Sequence, residues 1–222
     1  MPRNTGSYWL LGAVLLTAVI QAQASDSAET GLMILVYNYA GVDNQTLVLA
    51  EIQVGQILRQ AGIELNWRRC DSAAKPSLTT NCPDMDRTTP ALRLVSHFRL
   101  VPDHVHTDTL GFSIGNIMTV SSEKARNLAQ TGVGQLSEIL GVVIAHEFGH
   151  LLLGGAHSAS GVMRARLDLS DWALAQQGWL VFHPAEAAAL RKAVRDRTET
   201  LRIAHYETPI SQKFLSQLQS KR

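Results

Sequence analysis

Cysteine is almost missing from this chain: Cys70 and Cys82 are its only two. Their separation fits neither a CxxC redox pair nor a thiolate metal site, which leaves a structural disulfide, expected in an exported protein. Closing the polar, Pro-containing loop between them would contribute roughly 3 kcal/mol by limiting the unfolded state. An excess of one charge is also absent, with 20 Lys and Arg against 19 Asp and Glu. That balance carries no nucleic-acid footprint. Internal repeats and low-complexity tracts are lacking, which excludes repeat architectures. Apolar runs of membrane-spanning character are lacking too, apart from the N-terminus. There Arg3 precedes the run Tyr8 to Ile20 and then Ala22-Gln23-Ala24, the layout of a secretory signal. The run is 13 residues, short of the roughly 20 needed to span a bilayer. Residues 1–24 are therefore expected to be a cleaved signal peptide, and the protein secreted or periplasmic with no stable membrane insertion afterwards. The alternative is a retained N-terminal anchor.

What is present suffices for a folded domain. Of the 222 residues, 45% are hydrophobic, enough for one core over 25–222. Residues 31–40 are rich in β-formers and read as the first, central strand. A helix is expected over 44–60, with Leu47, Ala50, Val54, Ile57 and Leu58 at helical spacing and Gly62 as its breaker. Residues 63–69 alternate Ile63, Leu65 and Trp67 on one face of a second strand. A third is expected over 91–101, ending at Pro102, and a further pair over 109–115 and 116–122. Residues 122–132 are polar, a short helix or an exposed loop. A later helix starts at Ser170, with Asp171 in its first turn and Gly178 at its stop. Another starts near His183, with Pro184 in first position and Ala187, Leu190 and Val194 as its buried stripe.

The chemistry concentrates in residues 135–163, QLSEILGVVIAHEFGHLLLGGAHSASGVM. From Leu136 to Leu153 the only charged side chains are Glu138 and Glu147, so this helix must lie inside a domain. His146 and His150, four apart, stand one turn above the other on one face, where two ring nitrogens can converge on one ion. A carboxylate at Glu147 would incur a large desolvation penalty unless a divalent cation and its water compensated it. A catalytic zinc takes three protein ligands and keeps one position open. His157 is the nearest third ligand, delivered if Gly154 and Gly155 adopt the left-handed conformation that ends a helix. Asp168 or Asp171 could supply an oxygen ligand instead. With zinc acidifying a water, Glu147 is placed to take its proton as the water attacks a carbonyl.

The run HEFGHLLLGGAH, followed by SASGVM, resembles the metzincin clan of zinc peptidases, whose signature is HExxHxxGxxH with a methionine turn downstream. The resemblance implies one zinc ion per chain on His146, His150 and His157, Glu147 as general base, and a turn methionine at Met163. It also implies an α+β fold. A twisted mixed sheet with two long helices would form an upper subdomain over about 31–154, and a small helical lower subdomain would cover about 155–222. This chain departs from the signature: three leucines, Leu151 to Leu153, stand where the pattern has two residues, and the interval from His157 to Met163 is short. TLGFSIG resembles the edge strand that metzincins place above the zinc, so Gly111, Phe112 and Ser113 would offer an open edge to an extended peptide or protein substrate. The expected activity is that of an exported zinc endopeptidase. The competing reading is a zinc-stabilised binding module without turnover, to which an intact Glu147 would be superfluous. His104 and His106 could hold a second metal but read better as a solvated loop. His97, His183 and His205 receive no role.

Overall fold

The structure, a computed structural model, describes residues 31–70, 82, 89–99 and 108–200. The signal segment, His104, His106, Pro102, His205 and most of the loop between the cysteines lie outside the described residues. In chain order the elements are β1 (Leu32–Asn38), α1 (Asn44–Gln60), β2 (Leu65–Cys70), β3 (Ala91–Val95), β4 (Gly111–Ile114), β5 (Ile117–Ser121), α2 (Ser122–Gln130), α3 (Leu136–Leu153) and α4 (Leu169–Gln176). A fifth helix, α5, covers 184–200. The fold is α+β. Among the described residues there is one sheet, of order β2-β1-β3-β5-β4, with the first four strands parallel and β4 antiparallel to β5. β1 is interior, paired on both sides, but β3 holds the middle of the five.

Alternation along β1 decides which face meets the helices. Leu32, Ile34 and Val36 point into the main core, while Leu35 packs with Cys70 and Ala91 on the opposite face. On the main face, α1 and α3 cover the sheet. Asp43 caps α1 by accepting from the Thr46 amide at 2.9 Å, and its buried residues are the five anticipated from spacing. Contrary to the expectation that no such run follows the N-terminus, α3 is long and apolar enough to cross a membrane, yet it is mostly buried inside the protein. It is the core helix, as its composition requires. Cys70 and Cys82 form the disulfide.

Most strand bounds move inward by one or two residues, and two elements, β3 and α4, differ for identifiable reasons. β3 stops at Val95 because the next carbonyl, of Ser96, accepts from the Ser121 hydroxyl (2.8 Å) and the Glu123 amide (3.2 Å), which draws the chain out of the sheet. The polar stretch after β5 takes the helical one of its two expected forms, as α2, capped by Ser121. α4 begins one residue before Ser170: Asp168 accepts from the amides of Ser170 and Asp171, and the Asp171 carboxylate accepts from the Asp168 amide. This reciprocal box fixes the start that spacing alone misplaces. Gly178 ends the segment at φ 75° as expected. α5 buries Ala187 and Leu190, and Arg191 donates to the Ala61 carbonyl at 2.8 Å, fastening α5 to the end of α1.

The crossing of α1 and α3 depends on Gly141. A Cβ there would lie 2.5 Å from the Gln53 Cβ and 3.1 Å from the Ala50 carbonyl oxygen, so the two helix backbones approach where no side chain fits. Gly141→Ala is expected to lower unfolding free energy by about 1–3 kcal/mol through overpacking, despite the better helix propensity of alanine. Urea denaturation checks this, and an unchanged midpoint would show that the crossing adapts.

Candidate metal centre

α3 carries His146, Glu147 and His150, and its last turn runs through Leu153 before the chain leaves. The extra leucine is absorbed here, as one more helical residue. Gly154 then turns at φ 85° and ψ −166°, its amide donating to the His150 carbonyl at 2.9 Å. That conformation is open to glycine but differs from the left-handed helical one anticipated, and Gly155 has no positive φ. His157 is nevertheless brought back to the helix. One ring nitrogen from each of His146, His150 and His157 lies within 4.8 Å of the others. The Nε2 atoms of His146 and His150 are 2.9 Å apart, and those of His150 and His157 are 3.1 Å apart.

The tautomers decide what this convergence can hold. His146 Nδ1 lies 2.7 Å from the Val162 carbonyl oxygen, and His150 Nδ1 lies 2.9 Å from that of Gly154. A carbonyl only accepts, so both Nδ1 atoms carry the proton and, in the neutral rings, both Nε2 atoms present lone pairs to each other. Burial pushes His146 down to about 4, and burial followed by the neighbouring His150 lowers His157. Facing lone pairs at hydrogen-bond distance repel unless a cation lies between them. Three imidazoles with backbone carbonyls behind two of them fit one zinc ion of the HExxH-plus-third-histidine kind.

Asp168 and Asp171 are not part of this cluster. Both carboxylates accept from Arg164 Nη1 at 2.5 Å and cap α4. Hydrogen bonds from Ser170 and then Arg164 hold the Asp168 carboxyl well below the usual range. The oxygen-ligand alternative is therefore set aside, because both groups are committed to the start of α4.

Met163 lies in a turn beneath α3, 1% exposed. A Cβ on Gly149 would sit 2.2 Å from its sulfur, so a glycine between the two helix histidines is what lets the methionine approach. The short interval before it is a closed turn: the Ser158 amide donates to the Met163 carbonyl at 2.9 Å, and the Val162 amide donates to that of Val181 at 3.1 Å. Farther on, Arg166 pairs with Asp108 at 2.7 Å, joining this segment to the approach of β4.

Among the described residues β4 is an edge strand of the sheet, as is β2 at the other side. The Ser121 amide donates to the Leu110 carbonyl at 2.9 Å, and Ile114 pairs with Ile117 across the loop opened by Gly115 at φ 58°. Alternate residues of an antiparallel strand bond inward, so the backbone groups of Gly111 and Ser113 face the open edge. Their Cα substituents meet α3. A Cβ on Gly111 would lie 2.9 Å from Glu147 Cγ and Oε1, and Ser113 Oγ lies 3.0 Å from Glu147 Oε2 and 2.8 Å from its carbonyl oxygen. Phe112 points to the other face, edge-on to Phe98 at 5.1 Å. Glu147 itself is 3% exposed, and burial pushes its carboxyl up to about 7, only partly offset by the Ser113 hydrogen bond.

Sequence reasoning missed four participants. The Ser113 hydroxyl reads only as part of an edge strand, with nothing local to tie it to Glu147. The carbonyls of Val162 and Gly154 leave no mark in residue type. Glu186, on α5, binds the Ser158 side chain, and its charge acts on His146. Its one signal is position, three residues after the histidine that precedes α5.

The Glu147 shift has a consequence for stability in the metal-free protein. A folded value near 7 exceeds the ordinary 4.5, so folding favours the protonated form. Its contribution is full below about pH 4.5 and is lost as pH rises through about 7. Glu147→Gln, which cannot ionise, is expected to match the wild type near pH 4 and to exceed it at pH 8.5 by up to about 3 kcal/mol. Denaturant titrations with a chelator present measure this. Equal stabilities at both pH values would mean that burial does not penalise the charge.

No family model and no curated protein matches the sequence. Solved structures similar to it include a zinc-dependent peptidase from Methanocorpusculum labreanum (strain Z), 14% identical, with TM-score 0.47 and coverage of 71% of this chain and 99% of that one. Another is an archaemetzincin from Methanopyrus kandleri, 12% identical, with TM-score 0.49 and coverage of 76% and 98%. What the site can do follows from its own geometry.

Proposed function

We propose that the chain is an exported zinc-dependent endopeptidase. One observation carries the reading: three histidine Nε2 atoms converge beside a buried carboxylate whose hydrogen-bond partner belongs to an open sheet edge. His146, His150 and His157 would hold the metal. Zinc, when bound, would acidify a water molecule and polarise the scissile carbonyl. Glu147 accepts the proton as the water attacks and returns it to the departing amine. In the metal-free protein burial holds this carboxyl above the usual range, which disposes it to take up a proton. Ser113, donating to Oε2, fixes which carboxylate oxygen remains free.

A peptide would add to β4 as a further strand, bonding the outward backbone groups around Ser113, with alternate side chains toward α3 and toward Phe112. The parts before and after Gly154 then act as upper and lower subdomains with the cleft between them, and residues 1–24 direct export. A zinc-stabilised binding module is the competing reading. A buried base oriented by a hydroxyl supports turnover over it, since a structural site has no need of one.

Glu147→Ala is expected to lower cleavage of a peptide library about 10²–10⁴-fold while zinc stays at one per chain by metal analysis. Full activity in that variant would overturn the mechanism, and zinc without cleavage by the wild type would favour the module. His157→Ala is expected to weaken zinc binding severely, leaving only His146 and His150 to hold the metal; an undiminished affinity would mean that another group completes the site.

A further inference from the structure

We propose that Glu186 is a positioning residue for the third histidine: from the first turn of α5 it holds Ser158 and thereby sets where His157 presents its ring. The inference rests on the three-histidine reading of the site. His157 is the ligand with least support of its own. It is exposed, as are Gly154, Gly155 and Ala156 before it and Ala159 and Ser160 after it, so packing does little to fix its backbone. Ser158 is the exception, being half-buried and tied at both ends. Its amide donates to the Met163 carbonyl, and its hydroxyl donates to Glu186 Oε1.

Both oxygens of Glu186 are committed. While Oε1 takes the Ser158 hydroxyl, Oε2 accepts from the His183 amide at 2.8 Å. His183 precedes Pro184, the first residue of α5, so this bond is the return arm of a capping box. His183 Nε2 in turn lies 3.0 Å from both the hydroxyl and the carbonyl oxygen of Ser160. The start of α5 thus grips the ligand loop twice. α5 is immobilised by buried Ala187 and Leu190 and by the bond from Arg191 to Ala61. Rigidity passes from the core through α5 and Glu186 to Ser158, and so to its neighbour His157. Partners behind a metal ligand orient it, and losing them commonly costs 10–100-fold in metal affinity.

Glu186→Gln keeps one acceptor and replaces the other with a donor, and Ser158→Ala removes only the hydroxyl. In the full chain, competition with a chromophoric zinc chelator is expected to show affinity reduced about 10–100-fold in each variant, with the double variant no worse than the weaker single. In a His157→Ala background, where His146 and His150 alone leave a weak residual affinity, Ser158→Ala breaks the link while keeping the Glu186 charge and is expected to leave that residual affinity unchanged. Melting under chelator is recorded alongside. A lower Tm with zinc affinity unchanged in both single variants would make Glu186 a helix cap only and overturn the proposal. An undiminished effect without His157 would also overturn it. A wild type that binds no zinc overturns the three-histidine reading and this inference with it.

Discussion

A carboxylate buried on an apolar helix is the constraint to which the rest of the molecule answers. α3 must be enclosed because almost every side chain on it is apolar, and Glu147 is enclosed with it at 3% exposure. The hydroxyl of Ser113 and the missing side chain of Gly111 are the local answers: one donates to the carboxylate, the other makes room for it. They are two residues apart on β4, so both reach the same face of the edge strand. The sheet edge and the helix carboxylate are thereby locked to each other, and the ladder that orients Ser113 toward α3 also turns its backbone outward.

Close approach is the second theme, and glycine permits it at three levels of α3 and its neighbours. Gly141 lets α1 cross, Gly149 admits the Met163 sulfur, and Gly111 makes room for the Glu147 carboxylate. Each is a place where a methyl group would meet an atom at under 3.0 Å. Met163 then closes a turn whose Val162 carbonyl orients His146, while the Gly154 carbonyl does the same for His150. The rings of His146 and His150 are thus aimed by backbone groups of the chain that follows the helix. In the proposed role of Glu186, the third ligand is aimed by a carboxylate from farther along the chain.

Much of this is legible in residue order. The bounds of α1 follow from apolar spacing with Gly62 after it, because an amphipathic helix writes its period into the chain. The positions of His146, Glu147 and His150 follow from the same period. β3 reads too long because its apolar alternation continues past Val95, whereas the carbonyl of Ser96 is captured by Ser121 and Glu123. The start of α4 is missed by one residue because Asp168 competes with Ser170 as the cap. Such outcomes depend on partners distant in sequence or on rivals of equal propensity.

By itself the sequence determined that a long apolar helix would be buried and that two of its histidines and one carboxylate would share a neighbourhood. Helical periodicity is a local property, and it suffices for that. Only the tertiary structure decided that His157 closes the site despite the additional leucine, and that Asp168 and Asp171 are committed to Arg164 and α4. It also decided which strand edge faces Glu147 and which groups stand behind the ligands. The physical reason is common to all of these. Each is a contact between segments far apart in the chain, selected by packing and by the need of buried polar groups for partners, and neither leaves a periodic trace in residue order.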